Sequence, residues 1–279
     1  MEQAPKGIMG KKRPRGTCRI CGKEAKLTFE HVPPRATYNK SAVKYVSVMD
    51  LIKTKEAMPW ELDKVPGNIS QKGKGGYWLC EECNNNLGDW YARPYKRFID
   101  ALMLVRQDIA DGSYTAVELE LKDIQPLAIY KQIISMFCDI NANLSKQDGI
   151  RDFLLNTESQ DIDTKKYKLG IYLQKSGVER TAPITAKITL GEHEPVLLSE
   201  ISSIPIGMIL YIDLPEGINP PVTDISAFVD CKYGDKKHVT MLLPIYENNS
   251  WIPEDFRSKS EIIATIKESE SALENGELF

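Results

Sequence analysis

The hydrophobic and polar positions divide the chain into two parts of different character. In the first part, short apolar stretches alternate with glycines and cysteines. A helix is predicted to begin near Cys83 or Asn84 and to end or kink at Pro94, and a second helix with an apolar face continues to about Ile109. Residues 34–76 are polar and interrupted by prolines and glycines, so we expect an inserted loop with one short helix or strand.

The second part shows the pattern of a larger sheet after a turn at residues 111–113. The stretch PLAIYKQIISMFCDIN begins with proline and carries a helical apolar stripe, which predicts a helix. Six strand-like runs follow, YKLGIYL, PITAKITL, PVLLSEI, IGMILYIDL, ISAFV and HVTMLLPIY, and then a charged helix, SKSEIIATIKESE. This order is typical of an α+β domain with a mostly antiparallel sheet.

Length and composition favour two domains. A chain of 279 residues lies where single domains begin to divide. We expect residues 1–16 to be a disordered basic arm, residues 17–110 to form one domain and residues 111–279 to form an acidic α+β domain. No apolar run reaches the roughly 18 residues of a membrane span, so no membrane partner is expected. The first residues lack the apolar core of a secretory signal, which favours a cytoplasmic protein.

Charge is distributed unevenly along the chain. Residues 1–110 hold 20 Lys and Arg against 12 Asp and Glu, a net charge of +8, whereas the remaining residues hold 16 against 27, a net charge of −11. The positive first part favours contact with a polyanion such as nucleic acid. The acidic second part favours recognition, regulation, a protein partner or assembly into a homo-oligomer.

Four of the six cysteines form two C-x-x-C units, Cys18/Cys21 and Cys80/Cys83. Inside a cell this spacing favours a metal over disulfides, and four thiolates are the ligands of a closed tetrahedral Zn²⁺ site. The 58 residues between the two units are expected to contain the insertion. A redox dithiol is the alternative, since C-x-x-C also occurs in redox sites.

The segment TFEHVPP places Glu30 and His31 directly before two prolines, ten residues after the first C-x-x-C. The second C-x-x-C lies in LCEECNNNLG and is followed at once by Asn84. The order C-x-x-C, E-H-V-P-P, C-x-x-C-N and glycine resembles the HNH endonuclease superfamily, in particular its members with a zinc-stabilised treble-clef or ββα-metal core. The resemblance covers residues 17–98.

This resemblance implies roles for three residues. His31 would act as the general base that accepts a proton from the water attacking phosphorus, and its ordinary pKa near 6.5 suits that role. Glu30 and Asn84 would bind one catalytic Mg²⁺ or Mn²⁺ through oxygen atoms. The zinc would be structural, because four protein ligands leave no position for water. Adjacent strand residues face opposite sides, so Glu30 and His31 need a local twist to share a site.

The chain departs from the family pattern in two ways. The family's middle asparagine, which orients the histidine, commonly lies a few residues before the second C-x-x-C, and the nearest candidate here is Asn68, twelve residues before it. Glu30 stands where aspartate is more common, which lengthens the ligand by one methylene. Asn85 and Asn86 are alternatives to Asn84 as the metal ligand. These departures bear on activity more than on fold.

Basic and aromatic residues are interleaved near the second C-x-x-C. They favour a surface that contacts phosphates and stacks bases, in which the nucleic-acid-binding cations are Lys72, Lys74, Arg93 and Arg97. The arginines are equally consistent with a solvated surface. For Trp78 and Tyr95 the favoured interpretation is the core of a zinc domain, because a small domain must bury its large apolar groups.

Four remaining residues are expected to be structural. Cys138 and Cys231 occur in apolar stretches and are interpreted as small core residues. His193 and His238 have no partners at metal-site spacing and are interpreted as surface histidines.

Together these features predict a Mg²⁺- or Mn²⁺-dependent HNH-type endonuclease that hydrolyses phosphodiester bonds in DNA. The alternative is a non-catalytic zinc-binding module that recognises nucleic acid or protein, in which Glu30 and His31 form hydrogen bonds at the end of a strand. A His31 side chain turned away from a shared site would favour the module.

Overall fold

The computed structural model describes residues 13–54, 57–109, 112–188 and 195–275. These residues form a mixed α+β fold with a large, mostly antiparallel sheet, as predicted. The strands are β1 (Arg15–Thr17), β2 (Glu24–His31), β3 (Val43–Tyr45), β4 (Asn68–Ser70), β5 (Gly75–Cys80), β6 (Ala116–Ile124), β7 (Tyr167–Gly177), β8 (Arg180–Lys187), β9 (Val196–Ser203), β10 (Ile206–Ile212), β11 (Thr223–Asp224) and β12 (Lys237–Asn248). The α-helices are α1 (Val48–Lys53), α2 (Glu81–Leu87), α3 (Arg93–Asp108), α4 (Pro126–Ile140), α5 (Ile150–Leu155) and α6 (Lys259–Glu274).

The first part of the chain is built on a small antiparallel sheet in the order β1-β2-β5. The insertion between β2 and β5 contains α1 and a separate pair of strands, β3 and β4. Helix α2 begins directly after β5, and a π-helical turn, Gly88–Ala92, joins it to α3. The chain is therefore helical past Pro94, which lies in the first turn of α3, where proline needs no hydrogen-bond partner.

The second part contains a seven-stranded sheet in the order β6-β12-β7-β10-β9-β8, with β11 paired to β7. Every pairing in it is antiparallel except that between β12 and β7. Helix α4 lies against this sheet, and every one of its 15 residues is buried. A helix that is buried on all sides must be apolar around most of its circumference, which the stretch PLAIYKQIISMFCDI satisfies.

The predicted strands differ from the observed ones in two places. The run ISAFV is not a strand: Ser226–Asp230 forms a 3₁₀ helix, in which Phe228 and Val229 are buried. The backbone N–H of Ser226 donates to Oδ1 of Asp224 at 2.8 Å, and this side-chain bond starts the turn. Strand β6 was not predicted, although VELEL in it alternates apolar and polar residues.

The predicted basic arm also needs correction at its end. Arg15 and Gly16 belong to β1, because they pair with Lys26 and Ala25 of β2. Residues 13 and 14 precede β1, and residues 1–12 of the predicted arm lie outside the described residues.

One continuous core joins the two parts of the chain. Ile20 of the first cysteine turn, and Tyr91, Tyr95 and Phe98 of the π-helical turn and α3, belong to the same buried cluster as α4 and the large sheet. Hydrogen bonds cross the boundary as well: the Tyr91 hydroxyl donates to the carbonyl of Leu154 at 2.8 Å. The change of sequence character at residue 110 is therefore not accompanied by a break in the core.

Candidate functional site

The four cysteines of the two C-x-x-C units lie together. Cys18 and Cys21 lie between β1 and β2, and Cys80 and Cys83 lie at the junction of β5 and α2. All four Sγ atoms are within 4.8 Å of one another, and those of Cys21 and Cys80 are 3.8 Å apart. A tetrahedron with Zn–S bonds of about 2.3 Å has edges of about 3.8 Å. This donor set can therefore hold a zinc ion.

Backbone geometry prepares both cysteine turns for a metal. Gly22 adopts a φ of +74°, which favours glycine, and its N–H donates to the carbonyl of Cys18 at 2.9 Å. In the second turn the N–H of Cys83 donates to Sγ of Cys80 at 3.5 Å. Cys80 is also the N-cap residue of α2, and burial raises the pKa of its thiol.

The electrostatics of the cluster favour a bound cation. A hydrogen bond from Cys83 is the main reason that the pKa of Cys18 falls to about 4, and the same contact raises the pKa of Cys83 far above its usual range. One thiolate thus suppresses the ionisation of its neighbour, so that a cation is needed to hold four thiolates together. Convergence of four sulfurs on one point favours this metal site over two separate redox dithiols.

A second constellation surrounds a cavity of about 240 Å³. Glu30 and His31 line this cavity from the end of β2, and Asn84 lines it from α2. The three residues to which the sequence assigned catalytic roles therefore lie around one space. Helix α4 also lines the cavity, and Asp139 is among the residues that it contributes.

The end of β2 explains how two adjacent residues reach the same cavity. The pairing of β2 with β5 shifts register through a bulge between Thr28 and Phe29, and it ends where His31 faces Gly75. A bulge increases the twist of a strand. Gly75 has a φ of +154°, and a Cβ there would lie 2.0 Å from the carbonyl oxygen of Glu30, so only glycine permits this close pairing.

Asn84 is held by the strand beside it. Its Nδ2 donates to Oγ1 of Thr28 at 2.8 Å and, more weakly, to the carbonyl of Phe29 at 3.4 Å. The amide nitrogen is thereby committed to the protein, which leaves the amide oxygen as the atom that Asn84 offers to a ligand. Asn85 is exposed and Asn86 half-buried, and neither lines the cavity.

His31 is half-buried and packs edge-on against Phe29, with ring centroids 4.9 Å apart. Burial lowers the pKa of His31 below its usual 6.5, and the positive charges of Arg35 and Lys72 act in the same direction. A hydrogen bond to the backbone of Lys72 opposes this shift. The imidazole is therefore neutral at pH 7, the form that accepts a proton.

Two carboxyl groups interact across the cavity. Burial raises the pKa of Glu30 to about 7. The pKa of Asp139 is raised well above its usual range, first by burial and then by the charge of Glu30, while Arg19 acts in the opposite direction. Two acids that disfavour each other's charge in a buried space are typical of sites that bind a cation or carry out acid–base chemistry.

The motif residues do not include the part of the cavity wall that α4 contributes. Gln132, Ser135 and Asp139 line the cavity at positions i, i+3 and i+7 of this helix, so they share one face. That polar stripe in an otherwise apolar helix was the available signal. Arg35, which follows the two prolines and is exposed at the cavity, was also missed.

The four cations proposed for nucleic-acid binding have different surroundings. Lys74 pairs with Glu179, with Nζ 3.0 Å from Oε2, and it also donates to Ser203, so its charge is engaged inside the protein. Lys72 is exposed and donates to the Tyr77 hydroxyl at 2.6 Å. Arg93 and Arg97 are exposed on α3, but Arg97 lines a different surface groove, against β6.

The remaining predicted residues lie as follows. Tyr95 and Cys138 are fully buried, as expected of core residues, whereas Trp78 and Cys231 are half-buried. His238 is exposed, as predicted, and His193 lies outside the described residues. Asn68 is exposed in β4 and does not line the cavity, so nothing places it near His31 as an orienting residue.

Comparison of the chain with protein-family models, curated proteins and solved structures finds no match. The likeness to HNH endonucleases therefore rests on the motif residues and their arrangement. Within the described residues, no helix combines the length and the apolar character that crossing a membrane requires.

Proposed function

We propose that the protein is a metal-dependent HNH-type endonuclease that hydrolyses phosphodiester bonds in DNA. The observation that carries this proposal is the shared cavity. Glu30 and His31 come from a strand and Asn84 from a helix that is distant in sequence, yet all three line the same space. A general base and oxygen ligands for a divalent ion are the groups that phosphodiester hydrolysis needs.

The local architecture supports the same proposal. Antiparallel strands β2 and β5 are followed directly by α2, and the four cysteines lie at the base of this unit. Two strands and a helix tied by zinc are the expected features of the treble-clef, or ββα-metal, core. The zinc has a structural role in this proposal, because four cysteine ligands complete its coordination.

In the proposed reaction, each residue has one task. His31, neutral at pH 7, accepts a proton from the water that attacks phosphorus. Glu30 and Asn84 hold Mg²⁺ or Mn²⁺ through a carboxylate and an amide oxygen. When bound, the ion supplies stabilisation of the negative charge that develops on the phosphate and the leaving oxygen.

Exposed cations near the cavity are suited to the phosphate backbone. Arg35 lines the cavity itself, and Arg93 is exposed at the start of α3. Lys72 is exposed in the loop between β4 and β5, with its Nζ 5.2 Å from the centroid of the Phe29 ring that lines the cavity. The net charge of +8 in residues 1–110 attracts a polyanion to this part of the chain. Lys74 is left out of this surface, because its ammonium group is paired with Glu179.

The non-catalytic module explains fewer of these features. A binding module requires neither a neutral histidine at a cavity nor two interacting carboxyl groups within it. His31 lines the same cavity as Glu30, which supports the nuclease over the module.

Cleavage assays on supercoiled plasmid and on a single-stranded oligonucleotide test the proposal. Full-length protein is assayed with Mg²⁺, Mn²⁺ or EDTA, beside His31→Ala and the matched control His238→Ala, which removes an exposed histidine of β12. We expect divalent-dependent cutting that falls by about 100-fold or more in His31→Ala, the usual effect of losing a general base, and is unchanged in His238→Ala.

Zinc content and thermal stability of each variant show whether the fold is intact. Equal cutting by His31→Ala and the wild type would remove His31 from the reaction. A folded, zinc-loaded wild type that cuts neither substrate with either ion would overturn the nuclease and leave the binding module.

A further inference from the structure

The part of the cavity wall that α4 forms carries oxygen atoms without a hydrogen-bond partner among the described residues. Asp139 is 1% exposed, and its Oδ1 has no hydrogen-bond partner among the described residues. Gln132 is 3% exposed, and its Oε1 is likewise without a partner in the described part of the chain. Both residues line the cavity from the same face of α4. Buried polar atoms are almost always paired, so these two atoms point to a ligand.

The unpartnered atoms determine the chemistry of that ligand. Glu30 and Asp139 offer carboxylate oxygens, and Asn84 and Gln132 offer amide oxygens, so four of the residues that line the cavity offer acceptors. Hard oxygen donors with two negative charges are the donor set of Mg²⁺ and Mn²⁺. An anionic or apolar ligand would leave the same oxygen atoms unsatisfied.

Two arginines lie near these groups. Arg19 donates to the main-chain carbonyl of Asp139, and its guanidinium lies 5.1 Å from the centroid of the Trp78 ring. Arg35 is exposed at the cavity. Arg19 is thus engaged with the backbone of α4 and with an aromatic ring, whereas Oδ1 of Asp139 has no hydrogen-bond partner among the described residues.

We propose that Asp139 is a third protein ligand of the divalent ion held by Glu30 and Asn84, so that the acidic part of the chain supplies part of the metal site. This inference rests on the proposed function, which provides the first two ligands. A cavity of about 240 Å³ has room for the ion and for the waters that Mg²⁺ retains, each of which occupies about 30 Å³. The sequence motif alone contains no indication of this ligand.

Binding of Mn²⁺ tests the proposal apart from catalysis. Free Mn²⁺ is measured by electron paramagnetic resonance during titration of the full-length, zinc-loaded wild type, of Asp139→Asn and of Asp152→Asn. The last variant is the matched control, because Asp152 is an exposed carboxylate on α5. We expect one Mn²⁺ per chain, a Kd raised by about tenfold or more in Asp139→Asn, and no change in Asp152→Asn.

A measurement on the wild type avoids any dependence on the folding of a variant. In crystals soaked with Mn²⁺, the anomalous diffraction peak of the ion should lie about 2.2 Å from an oxygen of the Asp139 carboxylate. A peak bound only by Glu30 and Asn84, or no peak in the cavity, would overturn the assignment. Unchanged Mn²⁺ affinity together with a lower melting temperature in Asp139→Asn would do the same, and would make Asp139 a structural partner of Arg19.

The outcomes separate this inference from the proposed function. Mn²⁺ binding that depends on Asp139, in a protein that cuts neither DNA substrate, would support the ligand and reject the nuclease. Cutting that depends on His31, with Mn²⁺ affinity unchanged in Asp139→Asn, would support the nuclease and reject the ligand.

Discussion

Lys131, the one basic residue of α4, is buried. Lys131 has no exposed surface, and its Nζ donates to the carbonyl oxygens of Phe153 at 2.6 Å and Asn156 at 2.7 Å. Burial lowers the pKa of Lys131 to about 7. A neutral amine still has two N–H donors for the two carbonyls, so deprotonation removes a buried charge without losing either hydrogen bond.

This shift predicts how stability depends on pH. Below pH 7 Lys131 is protonated in both the folded and the unfolded chain, and the cost of the buried charge is fully present. Between pH 7 and the unfolded pKa of about 10.4, the unfolded chain binds the extra proton, so the free energy of unfolding rises with pH. We expect it to rise from pH 7 to pH 9 in the wild type relative to Lys131→Met, by up to about 1.4 kcal/mol per pH unit. Urea unfolding of both proteins at several pH values measures this difference, and parallel curves would contradict it.

At the scale of elements, one buried ion pair ties several strands of the large sheet together. Arg180 at the start of β8 lies 2.7 Å from the carboxylate of Glu200 in β9, and both side chains are almost fully buried. The same carboxylate accepts from the Tyr172 hydroxyl of β7 at 2.6 Å, and Arg180 also donates to Asn248 of β12 at 3.1 Å. Strands β7, β8, β9 and β12 are therefore linked through the side chains of Arg180 and Glu200.

Breaking this pair should therefore be costly. Arg180→Met leaves the Glu200 carboxylate buried without its cation, and we expect a loss of about 3 to 5 kcal/mol of unfolding free energy. The matched control is Lys168→Met, which breaks the more exposed pair of Lys168 with Asp224 and should cost about 1 kcal/mol or less. Both values come from urea unfolding at pH 7. Equal losses in the two variants would show that the buried network contributes no more than a surface pair.

At the scale of the whole molecule, the cysteine cluster and the large sheet share one core. The carbonyl of Ile20, between Cys18 and Cys21, accepts from Nε of Arg151 in α5 at 3.1 Å. The carbonyl of Arg19 accepts from Ser145, between α4 and α5. Loss of order at the cysteines would therefore reach α4, α5 and the sheet behind them.

Removal of the zinc site should consequently destabilise the entire fold. We expect Cys83→Ser to lose bound zinc and to unfold in one transition at a lower temperature, whereas Cys231→Ser, which removes a cysteine outside the cluster, keeps one zinc per chain. A loss of about 5 kcal/mol would lower Tm by about 10 to 20 °C. Metal analysis and circular dichroism melting provide the readouts. Two separate transitions, of which only one moves, would show that the two parts unfold independently.

The sequence predicted features that depend on local pattern. The spacing of Cys18, Cys21, Cys80 and Cys83 was enough to predict the cluster, because four thiols at that spacing have few other uses. Helix α4 and strands β7, β9, β10 and β12 followed from periodicity. The run ISAFV was wrongly predicted to be a strand, because five apolar-rich residues fit a strand or a short helix equally well.

Features that depend on tertiary contact were not predictable in the same way. Lys74 was assigned to a nucleic-acid surface because its partner, Glu179, lies far away in sequence. Asp139 appeared to be one polar residue near the end of an apolar helix, and only the tertiary fold brings it to the cavity that β2 and α2 also line. Glu30, His31 and Asn84 were predicted from motif order rather than from periodicity, and all three line one cavity.

The origin of the cavity walls limits how this chain can exchange parts with other proteins. A compact zinc domain that contains every residue of its site can be transferred between genes as one segment, or cassette. Here β2 and α2 form one side of the cavity and α4 forms the other, so a cassette ending near residue 110 would leave Gln132, Ser135 and Asp139 behind. The smallest segment that retains every wall therefore runs through the end of α4.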